Sequence, residues 1–464
     1  MKNNKVLILL PDGIGLRNFA YSHFYELGRA QGFEPVFWNN TPFDLTSLGF
    51  NEIKIKNAKT HPLTDIYKNA RKHIELNNFI KKSGNHVYDY YRFPFLYKNI
   101  KTSLKNSTSQ LVIALHSSEK GLLSVRDRIE RQERKTVFYK HCLETLQKEK
   151  PALVFCTNQR SMLSIVPLLA ARDLKIPTAT FIFSWDNLPK ATMVVEADYY
   201  FVWSDHMKKE LLYYYSYIND SQVFVTGTPQ FENHFNQEKI ATREEFFAGN
   251  GLDIKKKYIC FSGDDITTSP DDPQYLADVA DAVHHLNTQG HNIGIIFRRC
   301  PVDFSERYDK VLVKNQDIIF SLAPLWKKIG DAWNTILPTK EDMVLQQNTI
   351  AHTEMVINLG SSMVFDYACF NKPCIYINYN AAEKSVADWS VKKIYKYVHF
   401  QSMPSKEAVV WCNDKNQFAS IIKEALEGKL SNVAAAKHWL TKIAGENPAQ
   451  ASENIWDAIK KIIK

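Results

Sequence analysis

A chain of 464 residues with 45% hydrophobic and 23% charged residues has the composition of an ordinary globular protein and length for two to three domains. That apolar content excludes a disordered chain, and 17 Gly with 18 Pro exclude collagen-like and low-complexity repeats. No stretch approaches the roughly 20 apolar residues of a membrane span, the apolar run at 6–10 is too short for a secretory leader, and a net charge of +8 suits an anionic ligand or membrane surface rather than nucleic acid.

Residues 5–10 predict a strand. A Pro-Asp-Gly-Ile-Gly loop follows at 11–15, and helical periodicity runs from 17 to about 31. Strand, tight loop and helix open a Rossmann-like unit. A second strand fits 35–38. Residues 60–150 are rich in Lys, Asn, Tyr and Leu with helical periodicity, and predict helices inserted in the first domain or packed on it. Strands then fit 152–156, 178–183, 199–203 and 222–226, with helices at 160–172 and 205–215. These runs are apolar throughout and bounded by turn residues, the pattern of a parallel sheet buried on both faces. The polar stretch 236–257 predicts a domain junction. Beyond it the pattern restarts. Strands fit 258–262, 293–297, 317–320, 355–358 and 374–378. Helices fit 275–288, 346–352, a segment ending at 370, about 415–426 and 453–463. The expected domains are therefore 1–235, 236–440 and a closing helical segment, 441–464, returning to the first.

The seven cysteines are odd in number and none has Cys-x-x-Cys spacing. This predicts free, mostly buried thiols, no structural zinc and a reducing cytoplasmic compartment.

Five segments carry candidate chemistry. Gly360-Ser361-Ser362 leaves a buried strand and opens a helix, where unpaired N–H groups favour phosphate. Asp366, one turn on, suits ribose hydroxyls. Arg298 and Arg299 end a strand, where guanidinium groups suit a diphosphate. Gly263, followed by Asp264 and Asp265, leaves space at another strand end, and the adjacent acidic pairs read as solvated. Ser184-Trp185-Asp186-Asn187 sets an indole beside a carboxylate and an amide, the groups that grip sugars. Asp12-Gly13-Ile14-Gly15 resembles a dinucleotide fingerprint. Asn18 stands in place of the third glycine and no acidic residue ends the next strand, which argues against NAD. The glycine loop then makes room for substrate, and Asp12 is a candidate general base. Four histidines, His116, His206, His234 and His352, are further cleft candidates that read first as structural.

Two Rossmann-like halves, a junction and a terminal helix resemble GT-B glycosyltransferases. The segments Phe183-Ser184-Trp185-Asp186-Asn187, Val225-Thr226-Gly227-Thr228-Pro229 and Ile357-Asn358-Leu359-Gly360-Ser361-Ser362-Met363 look like bacterial surface-polysaccharide transferases. They are also similar to CDP-glycerol glycerophosphotransferase-like and UDP-N-acetylglucosamine 2-epimerase-like proteins. The resemblance implies an α/β GT-B fold, its two domains facing across a cleft. It implies a metal-independent glycosyltransferase with no cofactor beyond its nucleotide-sugar co-substrate, which is UDP-, GDP- or CMP/CDP-linked. The acceptor would be a glycan or lipid-linked molecule, and the enzyme would work in the cytoplasm, at the inner face of the membrane. Gly263, Arg298, Arg299, Gly360, Ser361, Ser362 and Asp366 would bind the donor. Gly13, Gly15, Trp185 and Asn187 would bind the acceptor, and Asp12 or Asp186 would act as base. The alternatives of the same fold are a nucleotide-sugar epimerase, a glycerophosphotransferase and a noncatalytic binding scaffold. Arg299-Cys300-Pro301 stands where glycerophosphotransferase-like relatives carry His-Pro, which counts against glycerol phosphate transfer.

Overall fold

The computed structural model describes residues 3–330 and 335–464. The chain divides into two compact units: one ends at Pro229 and takes the chain up again at Gln450, and the other runs Gln230–Ala449. The polar stretch 236–257 lies inside the second unit and contains the helix Arg243–Asn250, started by a Thr242–Glu245 capping box.

In the first unit the strands are β1 (Lys5–Leu10), β2 (Glu34–Asn39), β3 (Glu52–Lys54), β4 (Leu153–Cys156), β5 (Thr178–Phe181), β6 (Tyr199–Val202) and β7 (Val223–Val225). They form one parallel sheet in the order β3-β2-β1-β4-β5-β6-β7. Val6 to Leu10 is wholly inaccessible to solvent. Leu7 registers with Val36 on one side, and Ile8 with Phe155 on the other. In the second unit the strands are β8 (Lys257–Ser262), β9 (Ile293–Arg298), β10 (Ile319–Ser321), β11 (Lys327–Lys328), β12 (Ile336–Leu337), β13 (Val356–Asn358), β14 (Cys374–Ile377) and β15 (Val410–Cys412). Among the described residues β10-β9-β8-β13-β14-β15 make a second parallel sheet, and β11 pairs with β12 in an antiparallel ribbon. Each sheet reverses direction of growth at its centre, between β1 and β4 in the first and between β8 and β13 in the second. Such switch points open a crevice at the carboxyl ends of the strands.

The expected helix at 17–31 is two helices, Ile14–Phe19 and Phe24–Ala30. The N–H groups of Ala20 and Tyr21 both donate to Leu16 O, and Ser22 Oγ donates to Asn18 O while accepting from Phe24 N, which ends one helix and starts the next. Sequence patterning missed β3, β15 and the helix Val433–Ala444. Both strands are three-residue edge strands lying partly open, so they lack the long apolar run that marks the central ones.

Residues 60–150 are helical as expected, in Thr64–Ser83, Ile100–His116, Glu119–Glu133 and Val137–Glu149. Buried charge ties two of these helices to the segment that leads into β6. Glu75 accepts from Arg71 (2.5 Å) and Arg126 (2.7 Å), and both guanidinium groups also donate to Met193 O. The C-terminal helix Ala451–Ile462 packs on the first unit. There the buried Trp456 stacks between Phe24 and Phe33 and donates from Nε1 to Phe24 O (2.8 Å). All seven cysteines are free, and five are buried.

Two destabilisations follow, both readable by urea denaturation. Glu75→Gln leaves two buried guanidinium groups short of a countercharge and should cost about 3 kcal/mol or more. Trp456→Ala empties the seat of the terminal helix and should cost about 3–5 kcal/mol.

Candidate functional site

Polar side chains of the second unit converge where β8, β9, β13, β14 and β15 end. Gly360 leaves β13 with φ +71°, a conformation that L side chains rarely adopt, and a Cβ there would lie 3.1 Å from Ile394 and from the Phe400 ring. Ser361 N donates to Asn358 Oδ1 (2.9 Å), and Tyr376 Oη donates to Ser361 O (2.8 Å), so the loop is fixed from both sides. Ser361 Oγ accepts from Met363 N (3.4 Å) at the start of the short helix Met363–Cys369. Ser362 occupies the N-cap position without a side-chain cap bond.

Beside this loop an open cavity of about 600 Å³ is lined by Tyr395, Phe400 and Trp411, with Asn378 and Asn413 at the exits of β14 and β15. Tyr395 and Trp411 meet edge-to-face at 4.8 Å. Their polar tips are tied down, Tyr395 Oη on Ile377 O and Trp411 Nε1 on Lys406 O, both at 2.7 Å. What they offer a ligand is ring surface, and the amides supply hydrogen bonds. Neither the cavity nor its aromatics was found from sequence. Residues 395–411 contain an aromatic-rich irregular stretch, and that was the only signal.

Gly263 follows β8, and a Cβ there would approach Tyr308 Oη to 2.9 Å. The Asp271–Asp272 pair nearby is buried rather than solvated, contrary to expectation, and Asp264 and Asp265 are half-buried. Asp272 is buried and accepts from Tyr308 Oη (2.7 Å), Asp264 N (3.0 Å) and Ser269 Oγ (2.9 Å). Burial pushes its carboxyl up to about 6. Burial, and then the Asp272 and Asp265 carboxylates, push Asp264 well above the usual range, although the Leu359 N–H beside it works the other way. This places Asp264 next to the Gly360 loop.

The arginines separate. Arg298 is buried and ion-paired with Asp342 (3.1 Å), which also accepts from Trp326 Nε1 and Leu325 N (both 2.8 Å). Its charge is already balanced inside the fold. Arg299 is partly exposed, with its guanidinium 5.6 Å from the Tyr308 ring. Asp366 does not stand open to a ribose: it is buried, and Oδ1 lies 2.7 Å from His234 Nε2. The partner is 132 residues distant, so sequence spacing gave no sign of it. His352 is structural as well, with Nε2 2.8 Å from Ala241 O. Among the described residues no group of three or more His, Cys, Asp or Glu is arranged to hold a metal ion.

In the first unit the residues of interest again sit at strand exits. Asp12, after β1, is buried and accepts from Asn158 Nδ2 (2.9 Å) and Ile14 N (3.2 Å); burial raises its carboxyl above the ordinary value. Gly13 is the N-cap of the first helix. Gly15 does not make room for substrate: a Cβ there would lie 2.4 Å from Thr157 Oγ1 and 2.7 Å from Leu10, so this glycine serves helix–sheet packing. Trp185 and Asn187 are both buried. Asn187 accepts from Gln159 Nε2 (3.0 Å) and donates to Asp186 (2.8 Å). Asp186 is also ion-paired with Lys190 and accepts from Ser184 Oγ (2.6 Å), which occupies the carboxylate proposed as a base. Asn158 and Gln159 thus link the Asp12 and Asp186 segments. Sequence reading passed over them, although a polar run leaving a buried strand was the available clue.

No protein-family model matches the chain, and no curated protein matches it in sequence. Solved structures do match over its whole length. A co-structure of Staphylococcus aureus MnaA with UDP aligns over 99% of this chain and 96% of its own, at 14% identity and TM-score 0.53. A putative UDP-N-acetylglucosamine 2-epimerase from Listeria monocytogenes aligns over the same shares at 11% identity and TM-score 0.55. A glycosyltransferase from Rickettsia africae aligns over 100% of both chains at 11% identity and TM-score 0.51. The fold is GT-B. At these identities the likeness speaks to the fold alone.

The buried carboxyls set a pH dependence. Asp272 binds its proton more tightly folded than unfolded, so its share of the stability is greatest in acid and is lost as pH rises from about 4 through about 6. Asp272→Asn should shrink the gap between urea midpoints measured at about pH 4.5 and about pH 7.5. An unchanged gap would show that this carboxyl is not held protonated.

Proposed function

We propose that this GT-B chain acts on a nucleotide-activated sugar and transfers the sugar to a glycan or lipid-linked acceptor. The observation that carries the reading is the aromatic cavity at the exits of β14 and β15, beside the Gly360–Ser362 loop that leaves β13 at the switch point of the second sheet. A nucleotide needs a flat surface for its base and N–H or hydroxyl donors for its diphosphate, and these two features stand side by side there. A protein of similar fold is seen with UDP in the S. aureus co-structure, which supports a nucleotide-linked ligand for this chain.

In this reading the base stacks in the cavity on Trp411 or Tyr395. The diphosphate meets the backbone of the Gly360 loop and the Ser362 hydroxyl. As the bond from sugar to diphosphate breaks, negative charge grows on the leaving oxygen, and preoriented N–H donors stabilise it. Arg299, the more open of the two arginines, adds positive charge. Asp264, whose proton affinity burial raises well above the ordinary value, lies beside this loop and so adds less negative charge near the diphosphate than an ordinary carboxylate would. No metal is needed for these steps. The acceptor is assigned to the strand exits of the first unit. Asp12 is the preferred base there, because its raised proton affinity suits proton abstraction and Asp186 is engaged by Lys190.

Epimerisation of the sugar nucleotide is the second reading. The observation favouring it is Asp264, a carboxyl of raised proton affinity on the same unit as the nucleotide loop. Incubation with UDP-N-acetylglucosamine and no acceptor separates the two. A new epimer seen by NMR establishes the second reading, and its absence together with transfer to an added acceptor establishes the first.

Binding is tested by thermal shift with UDP, GDP, CDP and CMP at about 1 mM. One of them should raise the melting temperature of the wild type. Trp411→Ala should weaken that ligand about tenfold, the worth of one stacked ring. No shift with any nucleotide would overturn the donor-site assignment.

A further inference from the structure

The helix Ile100–His116 is apolar on both sides. Its inner side is conventional: Val112 is buried and joins Ala70, Ile74, Leu122 and Val125 in a hydrophobic cluster. Its outer side carries Ile100, Leu104, Leu111 and Leu115, which are 88%, 70%, 59% and 71% exposed. At 100° per residue these four positions fall within an arc of roughly 60°, a single stripe along the helix. The segment leading into the helix continues the patch, with Phe93 76% exposed and Leu96 and Tyr97 each 52% exposed. Asn106 Nδ2 donates to Leu96 O (2.8 Å), and an Asn99–Thr102 capping box fixes the turn, so segment and helix form one surface. Isolated exposed apolar residues need no explanation, but a contiguous patch of this kind marks an interaction site.

Charge selects the partner. Residues 90–118 contain Arg92, Lys98, Lys101 and Lys105 and no Asp or Glu. Arg92 is paired with Asp89 and Lys105 with Asp65. Lys98 and Lys101, at the start of the stripe, are exposed and have no ion pair among the described residues. The Lys72 ammonium sits 4.3 Å from the Phe93 ring and adds a cation at the patch edge. A second copy of the chain docking through this face would bring like charges together across a two-fold axis.

We infer that the outer face of the helix Ile100–His116, with Phe93, Leu96 and Tyr97, docks in the plane of an anionic lipid surface. The leucines and isoleucine enter the acyl boundary, the aromatics lie at headgroup level, and Lys98 and Lys101 meet lipid phosphates. Among the described residues no helix is long and apolar enough to cross a membrane, so this contact is peripheral. The inference stands independently of the nucleotide-sugar reading.

The test is sedimentation of the full chain with vesicles of phosphatidylcholine alone and with about 30% phosphatidylglycerol. The wild type should bind the anionic vesicles, and added salt should weaken the binding. The triple variant Ile100→Gln, Leu104→Gln, Leu111→Gln should lose it while keeping the wild-type melting temperature, since these side chains support nothing inside the fold. Lys98→Gln and Lys101→Gln should each weaken binding about fivefold. Three results would overturn the inference: no binding by the wild type, equal binding by wild type and triple variant, or a wild-type dimer in light scattering that the triple variant abolishes. The last would assign the face to a second copy.

Discussion

Both sheets are parallel and covered on both faces, and this constraint orders everything else. A strand buried on two sides has no place for polar chemistry along its length. Polar and small residues are therefore pushed to the strand ends, and at a switch point two neighbouring ends open together. Asp12 with Asn158 in the first unit, and Gly263 with Gly360 in the second, stand at those places. The fold decides where a ligand can sit before any residue decides which ligand it is.

The two ends differ in character. In the first unit the polar groups satisfy one another through Asn158, Gln159, Asn187, Asp186 and Lys190, which builds a rigid edge. In the second unit the groups around Gly360 are anchored from behind by Asn358 and Tyr376, and ring faces are left to line an open cavity. Anchored backbone next to open aromatic surface is the arrangement that preorganised binding requires, since little order remains to be gained on association. The neighbouring Asp264 deepens this contrast, because burial raises its proton affinity and so lessens the negative charge at the same corner.

The central strands were readable because each is a short apolar run closed by turn residues, as at 5–10 and 258–262. The helical character of 60–150 was readable for the same reason, as periodicity. Edge strands β3 and β15 lacked that run. The site was legible at the level of loops and not of pairings. The Gly360 loop could be placed from its strand–glycine–serine–helix order. The burial of Asp366 under His234, of Arg298 under Asp342 and of Asp272 under Tyr308 joins residues from 36 to 132 positions apart. One sequence contains no local trace of such contacts. The exposed stripe at 100–115 was hidden differently: an apolar helical repeat reads as core until the fold shows which side is already covered.

Hydrogen–deuterium exchange of the full chain with and without each of UDP, GDP, CDP and CMP tests the central claim most directly. The account predicts slowed exchange in peptides spanning Leu359–Met363 and Tyr395–Asn413, where the fixed loop and the aromatic cavity meet a nucleotide. Protection confined to the first unit would contradict it, as would an exchange pattern unchanged by all four nucleotides at about 1 mM.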